Sequence, residues 1–452
     1  MLLTEKYKTH YRSLISLGIP IVAGQVGSIL FGVVDTLMIG NHSTLELAAS
    51  GFINTIFGIL LIFAMGFSNA ITPIVGNMYG RGDTHLIGGI VKNSVAANTL
   101  LAGVLVIIST LFYLFLGKLG QPEELLPLMR PYLLILIATM PLACWFNVFK
   151  QSFDAVGDTR SPMKVILTVT AINMVGNYLL IYGVKVSGNV IIPELGLIGA
   201  GIATLVSRTL SVAFIAFLFF RREANSLYSR GFWQSSLNMR DFKKLNRMGW
   251  PLAFQLGLES AAFMLTAIMV GWIGSAHLAA NQIMMILAQM FYMVYSGLTA
   301  AVAVRVSHFY GQRDQRAVEL TPWAAFHLIL VVAVCISIPV FALRDNIGYW
   351  FTDSYEVAQL VAACIPMLII YQVGDGLQCT FCNALRGLAC IKAMITVSFI
   401  SYFIISLPLS YVFAFVFGWG LVGIWGSFPV CLMVAAILYY IAFRYYRKKV
   451  FK

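Results

Sequence analysis

Asp35, Glu259 and Asp375 stand inside stretches that are otherwise almost continuously apolar. A carboxylate held away from water costs roughly 2.5 to 3.5 kcal/mol on membrane-insertion scales, so it must face a polar cavity, an ion or a partner. Polar neighbours recur at helical spacing around these acids. Asn173 and Asn177 are four apart, as are Gln255 and Glu259. Tyr371, Asp375 and Gln378 follow at i, i+4 and i+7, and Gln282 and Gln289 are seven apart, so each set shares one helical face. Oxygen ligands of this kind suit a hard monovalent cation, or else acids that exchange protons. The plainer alternative is hydrogen-bonded glue between helices. Gln255, Gln282, Gln289 and Gln378 are also candidates for substrate contact. So is Met285 in a methionine-rich run with Met284, Met290 and Met293, whose soft side chains adapt to varied apolar ligands.

The elements that must position these residues are twelve apolar stretches: 14–39, 51–77, 90–117, 128–151, 163–184, 196–220, 248–273, 279–308, 321–343, 358–385, 393–417 and 420–443. Each is long enough to cross a hydrocarbon core of about 30 Å as a helix. With 60% hydrophobic and 11% charged residues and a mean hydropathy of +0.85, the chain is expected to be an all-α integral membrane protein. A transmembrane β-barrel is excluded, because its strands alternate in polarity over about ten residues. No cleavage site follows the basic start, so no removable signal peptide is expected.

A net charge of +12 could suggest nucleic acid, yet the basic residues alternate with the spans. One face carries 25 Lys and Arg residues, the other only Lys118, Arg130, Lys185 and Arg344. The positive-inside rule then puts both termini in the cytoplasm and leaves no nucleic-acid footprint. Arg208 lies within span six and is expected to snorkel or to pair rather than to contact a ligand. The seven cysteines fall in or beside spans, where disulfides are not expected. The Cys379–Cys382 pair lacks the further ligands zinc would need.

Shifting 18–83 by 231 positions overlays 249–314 without a gap. Gly18 and Pro20 meet Gly249 and Pro251; Gly66 meets Gly297; Tyr79, Gly80 and Asp83 meet Tyr310, Gly311 and Asp314. Weaker echoes pair Gly157 with Gly387 and Gly196 with Gly420. Six spans per copy is an even number, so the repeats run parallel. They divide the chain into an amino-terminal lobe (1–220), a cytoplasmic linker (221–247), whose Phe232 and Trp233 suggest contact with the inner leaflet, and a carboxy-terminal lobe (248–452). The copies differ where chemistry would occur: Asp35 overlays Thr266, and Glu259 overlays Ser28.

The run Asp35-Thr36-Leu37-Met38-Ile39-Gly40, then Leu47-Ala48-Ala49, Gly80-Arg81-Gly82-Asp83, Asn173 with Asn177, and Ala384-Leu385-Arg386-Gly387 together resemble the MATE (multidrug and toxic compound extrusion) transporters, nearest the NorM-like branch. The resemblance covers the whole chain. It implies two six-helix bundles forming a V-shaped cleft, and export of small organic cations in exchange for Na+ or H+, with no cofactor. By position, Asp35, Asn173 and Asn177 match the family's amino-terminal cation or proton site, and Glu259, Tyr371 and Asp375 its carboxy-terminal cation site, which implies Na+ as a candidate metal there. It also implies a bacterial inner-membrane protein, with the lipid bilayer as its surroundings; a monomer is expected. Two other readings remain open. A lipid or lipid-linked oligosaccharide flippase would want a more basic cavity. An integral membrane transferase would want an aqueous domain or a phosphate-cradling loop, so no enzyme is expected.

Overall fold

A long apolar run in lipid must satisfy its own N–H and C=O groups, and the α-helix does so within one segment. The computed structural model, which describes residues 2–118, 120, 122–186 and 189–451, follows this rule. Twelve helices among the described residues are long and apolar enough to cross a membrane. In chain order the principal helices of the first half are α1 (Leu2–His42), α2 (Thr44–Ser68), α3 (Ile71–Arg81), α4 (Thr84–Phe115), α5 (Leu126–Ala155), α6 (Arg160–Ile181) and α7 (Gly196–Arg221). A short antiparallel hairpin, β1 (Val184–Val186) and β2 (Asn189–Ile192), precedes α7. The second half runs through α8 (Ser226–Gln234), α9 (Met239–Ile273), α10 (Ser275–Gly311), α11 (Gln315–Ala342), the single turn α12 (Arg344–Ile347), α13 (Tyr355–Gly387), α14 (Ile391–Ser398), α15 (Leu407–Tyr411) and α16 (Gly420–Val450).

Two spans are less regular than the sequence suggests. The second is broken at Asn69–Ala70 into α2 and α3, whereas the equivalent positions Ala300 and Ala301 lie in unbroken α10. Span eleven widens into π-helix over Phe399–Ser406 and again over Val412–Val416, on either side of α15 with its Pro408. Such widening re-aims side chains and is frequent at functional sites.

The 231-residue repeat is visible in hydrogen bonds. Asp83 N–H donates to Met78 C=O at 3.0 Å, and Asp314 N–H to Phe309 C=O at 3.0 Å. Each follows a left-handed residue, Gly82 (φ 82°) in one copy and Arg313 (φ 57°) in the other. The weaker echo is shifted: the left-handed turn at Gly157 is matched by Ala389, two residues beyond Gly387. Gly196 (φ 52°) and Gly420 (φ 56°) do correspond, each opening a helix.

Packing divides the chain into two compact units, at points that differ from the repeat-based lobes. One is Ala23–Ala253; the other joins Met1–Val22 to Phe254–Lys452. The two junctions are themselves 231 residues apart. In the amino-terminal unit α5 packs against α2, α4 and α7. The 221–247 segment is seated rather than free: Lys92 Nζ donates to Ser235 C=O at 2.7 Å, and a Cβ on Gly88 would meet the Tyr228 carbonyl oxygen at 2.1 Å. Phe232 packs on the rings of Phe219 and Phe220, while Trp233 stays 69% exposed. In the carboxy-terminal unit α13 is the central helix, packed between α10 and α16.

Candidate functional site

The central position of α13 encloses Asp375, Gln378 and Tyr371, at 3%, 2% and 7% exposure. Asp375 accepts from the hydroxyl of Tyr295 on α10 and, at 3.5 Å, from Cys379 Sγ one turn along its own helix. Glu259 on α9 accepts from Tyr402 Oη at 3.0 Å, and more weakly from Gln255 Nε2 at 3.5 Å. Tyr402 in turn accepts from Gln378 Nε2 at 2.9 Å. Glu259 is thereby tied through Tyr402 to α13, one turn from Asp375.

Tyr402 sits in the π-helical stretch of span eleven and Tyr295 in the middle of α10. Neither was singled out by spacing, since a lone phenol in an apolar span is more often packing than chemistry. Tyr371 shares the α13 face of Asp375, but its ring packs edge-on against Trp425 and Phe428. Gln282 and Gln289 are exposed on α10 and make no side-chain hydrogen bond to either acid; Met285 packs at the edge of the unit's core. Among the described residues the carboxylates of Glu259 and Asp375 enter no ion pair, although Arg386 lies on the same helix as Asp375. Among the described residues, no three His, Cys, Asp or Glu side chains gather as a metal site.

The amino-terminal unit has its own acid. Asp35 on α1 accepts from Asn177 Nδ2, and Asn177 Nδ2 also lies 3.3 Å from Asn173 Oδ1. The two asparagines are fully buried, yet Asn173 Nδ2 and Asn177 Oδ1 have no hydrogen-bond partner. An orphaned buried amide costs about 1–3 kcal/mol, and Asp35, Asn173 and Asn177 lie together with one donor and one acceptor uncommitted among the described residues. Near the end of α1 that follows Asp35, His42 is held between Glu46 (2.7 Å) and Glu194 (2.9 Å), which ties α1 to α2 and to the segment before α7.

Arg208 is engaged by side chains of its own unit. Its Nη1 donates to Thr139 Oγ1 at 3.0 Å, and its guanidinium lies 5.5 Å from the centre of the Phe57 ring. It lines a cavity of about 320 Å³ in the same unit, together with Lys150, Gln25, Asn147, Phe31 and Phe146.

The MatE family model matches the chain twice, over residues 20–179 and 251–412, and the two matches begin at the repeat-related Pro20 and Pro251. The Vibrio cholerae MATE transporter VcmN in its bent form has the same fold, with a TM-score of 0.88 at 19% identity over 99% of both chains. A eukaryotic MATE transporter, AtDTX14, gives 0.84 at 19% identity over 98% of this chain and 100% of its own. The outward-facing form of a multidrug resistance MATE transporter of the MOP superfamily gives 0.86 at 19% identity, over 98% and 96%. Identities this low speak for fold alone; the family follows from the doubled sequence match, which covers well over half of the chain. Duplicated helices, acids within spanning helices and family match converge: the chain belongs to the MatE family of multidrug and toxic compound extrusion transporters.

Proposed function

We propose that this protein is a secondary antiporter that exports amphiphilic organic cations in exchange for Na+ or H+. The observation that carries the reading is the state of Glu259 and Asp375: two acids midway along spanning helices, Asp375 buried and Glu259 partly buried, each accepting from a tyrosine hydroxyl and neither within ion-pair distance of a cation among the described residues. Such charges need balancing from outside the polypeptide, and a proton or a small cation does that. Asp35 with Asn173 and Asn177 is a second candidate, because its uncommitted amide atoms are buried.

Coupling requires the ion to favour one conformation more than the other, since equal affinity for both shifts nothing. Loading Glu259 or Asp375 changes what Tyr402 and Tyr295 donate to. Because those tyrosines belong to span eleven and α10, ion binding becomes a helix-packing event. The two units then supply the bodies of an alternating-access cycle, with α1 and α9 running through both junctions. The basic face of the loops is cytoplasmic, both termini with it, in a bacterial inner membrane.

Transport in proteoliposomes tests this, with ethidium as cargo under a sodium gradient alone and then under a pH gradient alone. Export under one gradient supports the reading and names the ion. Export under neither, from protein that remains folded, overturns it.

A further inference from the structure

The 320 Å³ cavity of the amino-terminal unit has the wrong charge for a simple cation. Among the described residues its lining includes Arg208 and Lys150 and no Asp or Glu. Lys150 is matched by Asp154 at 2.8 Å. Among the described residues no carboxylate lies within 4 Å of Arg208, although Asp35 acts on it electrostatically from farther away: of five guanidinium donors, one is engaged, by the Thr139 hydroxyl. A guanidinium inside a membrane protein whose contacts are one hydroxyl and the Phe57 ring keeps donors available for a further partner. Asp35, in the same unit, directs its hydrogen bond to Asn177 instead. The amides of Gln25 and Asn147 also face the cavity, and neither makes a side-chain hydrogen bond among the described residues. Phe31 and Phe146 add aromatic wall. A volume of this size is at the lower end of ligand pockets, enough for an aromatic ring system bearing a small charged group.

Resting on the transport reading above, and narrowing its substrate class, we propose that this cavity recognises a carboxylate-type oxyanion on an aromatic amphiphile, held by Arg208 with Lys150 at its side. The preferred cargo is then zwitterionic, carrying an oxyanion as well as its cationic centre. A guanidinium presents paired N–H groups to a carboxylate, a geometry that an ester cannot accept with equal strength. Gln25 and Asn147 supply neutral donors for the remaining oxygen lone pairs, and the aromatic walls take the ring.

The test is equilibrium binding without any ion gradient, so that it stands apart from transport. Full-length protein in phosphatidylcholine nanodiscs is titrated with rhodamine 110, which has a free carboxylate, and with rhodamine 123, its methyl ester. The expected result is a roughly tenfold preference for the acid, about one charge-assisted hydrogen-bonded contact. Arg208→Gln collapses the acid-to-ester ratio toward one, Arg208→Lys retains part of it, and Lys150→Gln reduces it less. Equal affinities in the parent protein, or a ratio unchanged in folded Arg208→Gln, overturn the proposal. If Arg208→Gln does not fold, the parental ratio and Lys150→Gln decide. Displacement of rhodamine 110 by added phosphatidylglycerol also overturns it, because the oxyanion would then be a lipid phosphate. Rhodamine 123 efflux from proteoliposomes reports separately on the transport reading: its failure with the binding ratio intact would leave the site standing, and the reverse would leave only the transporter.

Discussion

Gly18 on α1 and Gly297 on α10 lie so close that a Cβ on Gly297 would sit 2.5 Å from the Gly18 carbonyl oxygen. The duplication repeats the contact with roles exchanged: a Cβ on Gly66 would meet the Ala253 Cα at 2.6 Å, and one on Gly249 the Phe67 ring at 2.7 Å. Each repeat's first helix thus packs its early half on the second helix of the other repeat, and only glycine allows that approach. Gly297→Ala and Gly66→Ala should each cost more than about 2 kcal/mol, because the obstacle is backbone that cannot swing away. Gly32→Ala, with open space around the added methyl, should be neutral or stabilising by up to about 1 kcal/mol. Thermal melts of the purified proteins distinguish the two classes.

Tyr402→Phe and Tyr295→Phe each delete a single oxygen and leave an acid without its phenol donor. Charge-assisted hydrogen bonds are worth roughly 1.5–3 kcal/mol, so transport should fall about tenfold or more in each variant. The double variant should fall by less than the product of the two, since both tyrosines serve acids linked through α13. Rates in proteoliposomes, normalised to reconstituted protein, give the comparison.

Asp35→Asn and Asp375→Asn remove the charge and keep the shape. Ethidium extrusion should drop at least tenfold in each variant at parental expression. A parental rate in either would remove that acid from the coupling site.

Pro20 and Pro251 stand two residues before the two junctions between the compact units. A proline inside a helix frees a carbonyl one turn earlier and allows bending there. Pro20→Ala and Pro251→Ala should therefore keep or raise the melting temperature while slowing transport several-fold. A loss of stability without a change in rate would mean that these helices do not bend during the cycle.

Cys390 lies between two spanning helices, and burial pushes its thiol up to about 11, against a smaller opposing effect of Lys449. A raised thiol pKa means less thiolate near neutrality. Maleimide labelling at pH 8 should thus be one to two orders of magnitude slower than for an ordinary thiol with a pKa of about 8.5, and should accelerate up to about pH 11. Mass spectrometry of the Cys390 peptide at several pH values follows this directly.

The twelve spanning helices, the repeat and the acids Asp35, Glu259 and Asp375 were legible in the residue string, for local reasons. Hydrophobic run length is read directly against bilayer thickness. A duplication leaves a constant offset, and an acid in an apolar run announces its own cost. That Asn173 and Asn177 share one face was legible as well, because i, i+4 spacing on one helix needs no knowledge of its neighbours; their place beside Asp35, 142 positions away in the chain, was implied only by the family resemblance.

Tertiary structure decided the rest. Tyr402 reaches Glu259 across 143 positions of chain from a π-helical turn, and Tyr295 reaches Asp375 across 80; no periodicity reports such pairings. The enclosure of Arg208 beside Lys150, the seating of α8 on α4, and the assignment of Met1–Val22 to the unit built from the second repeat likewise depend on which helices pack together. Spacing along a sequence encodes one helix's face; which face meets which is settled only when side-chain volumes and close glycine contacts from distant segments are fitted to one another.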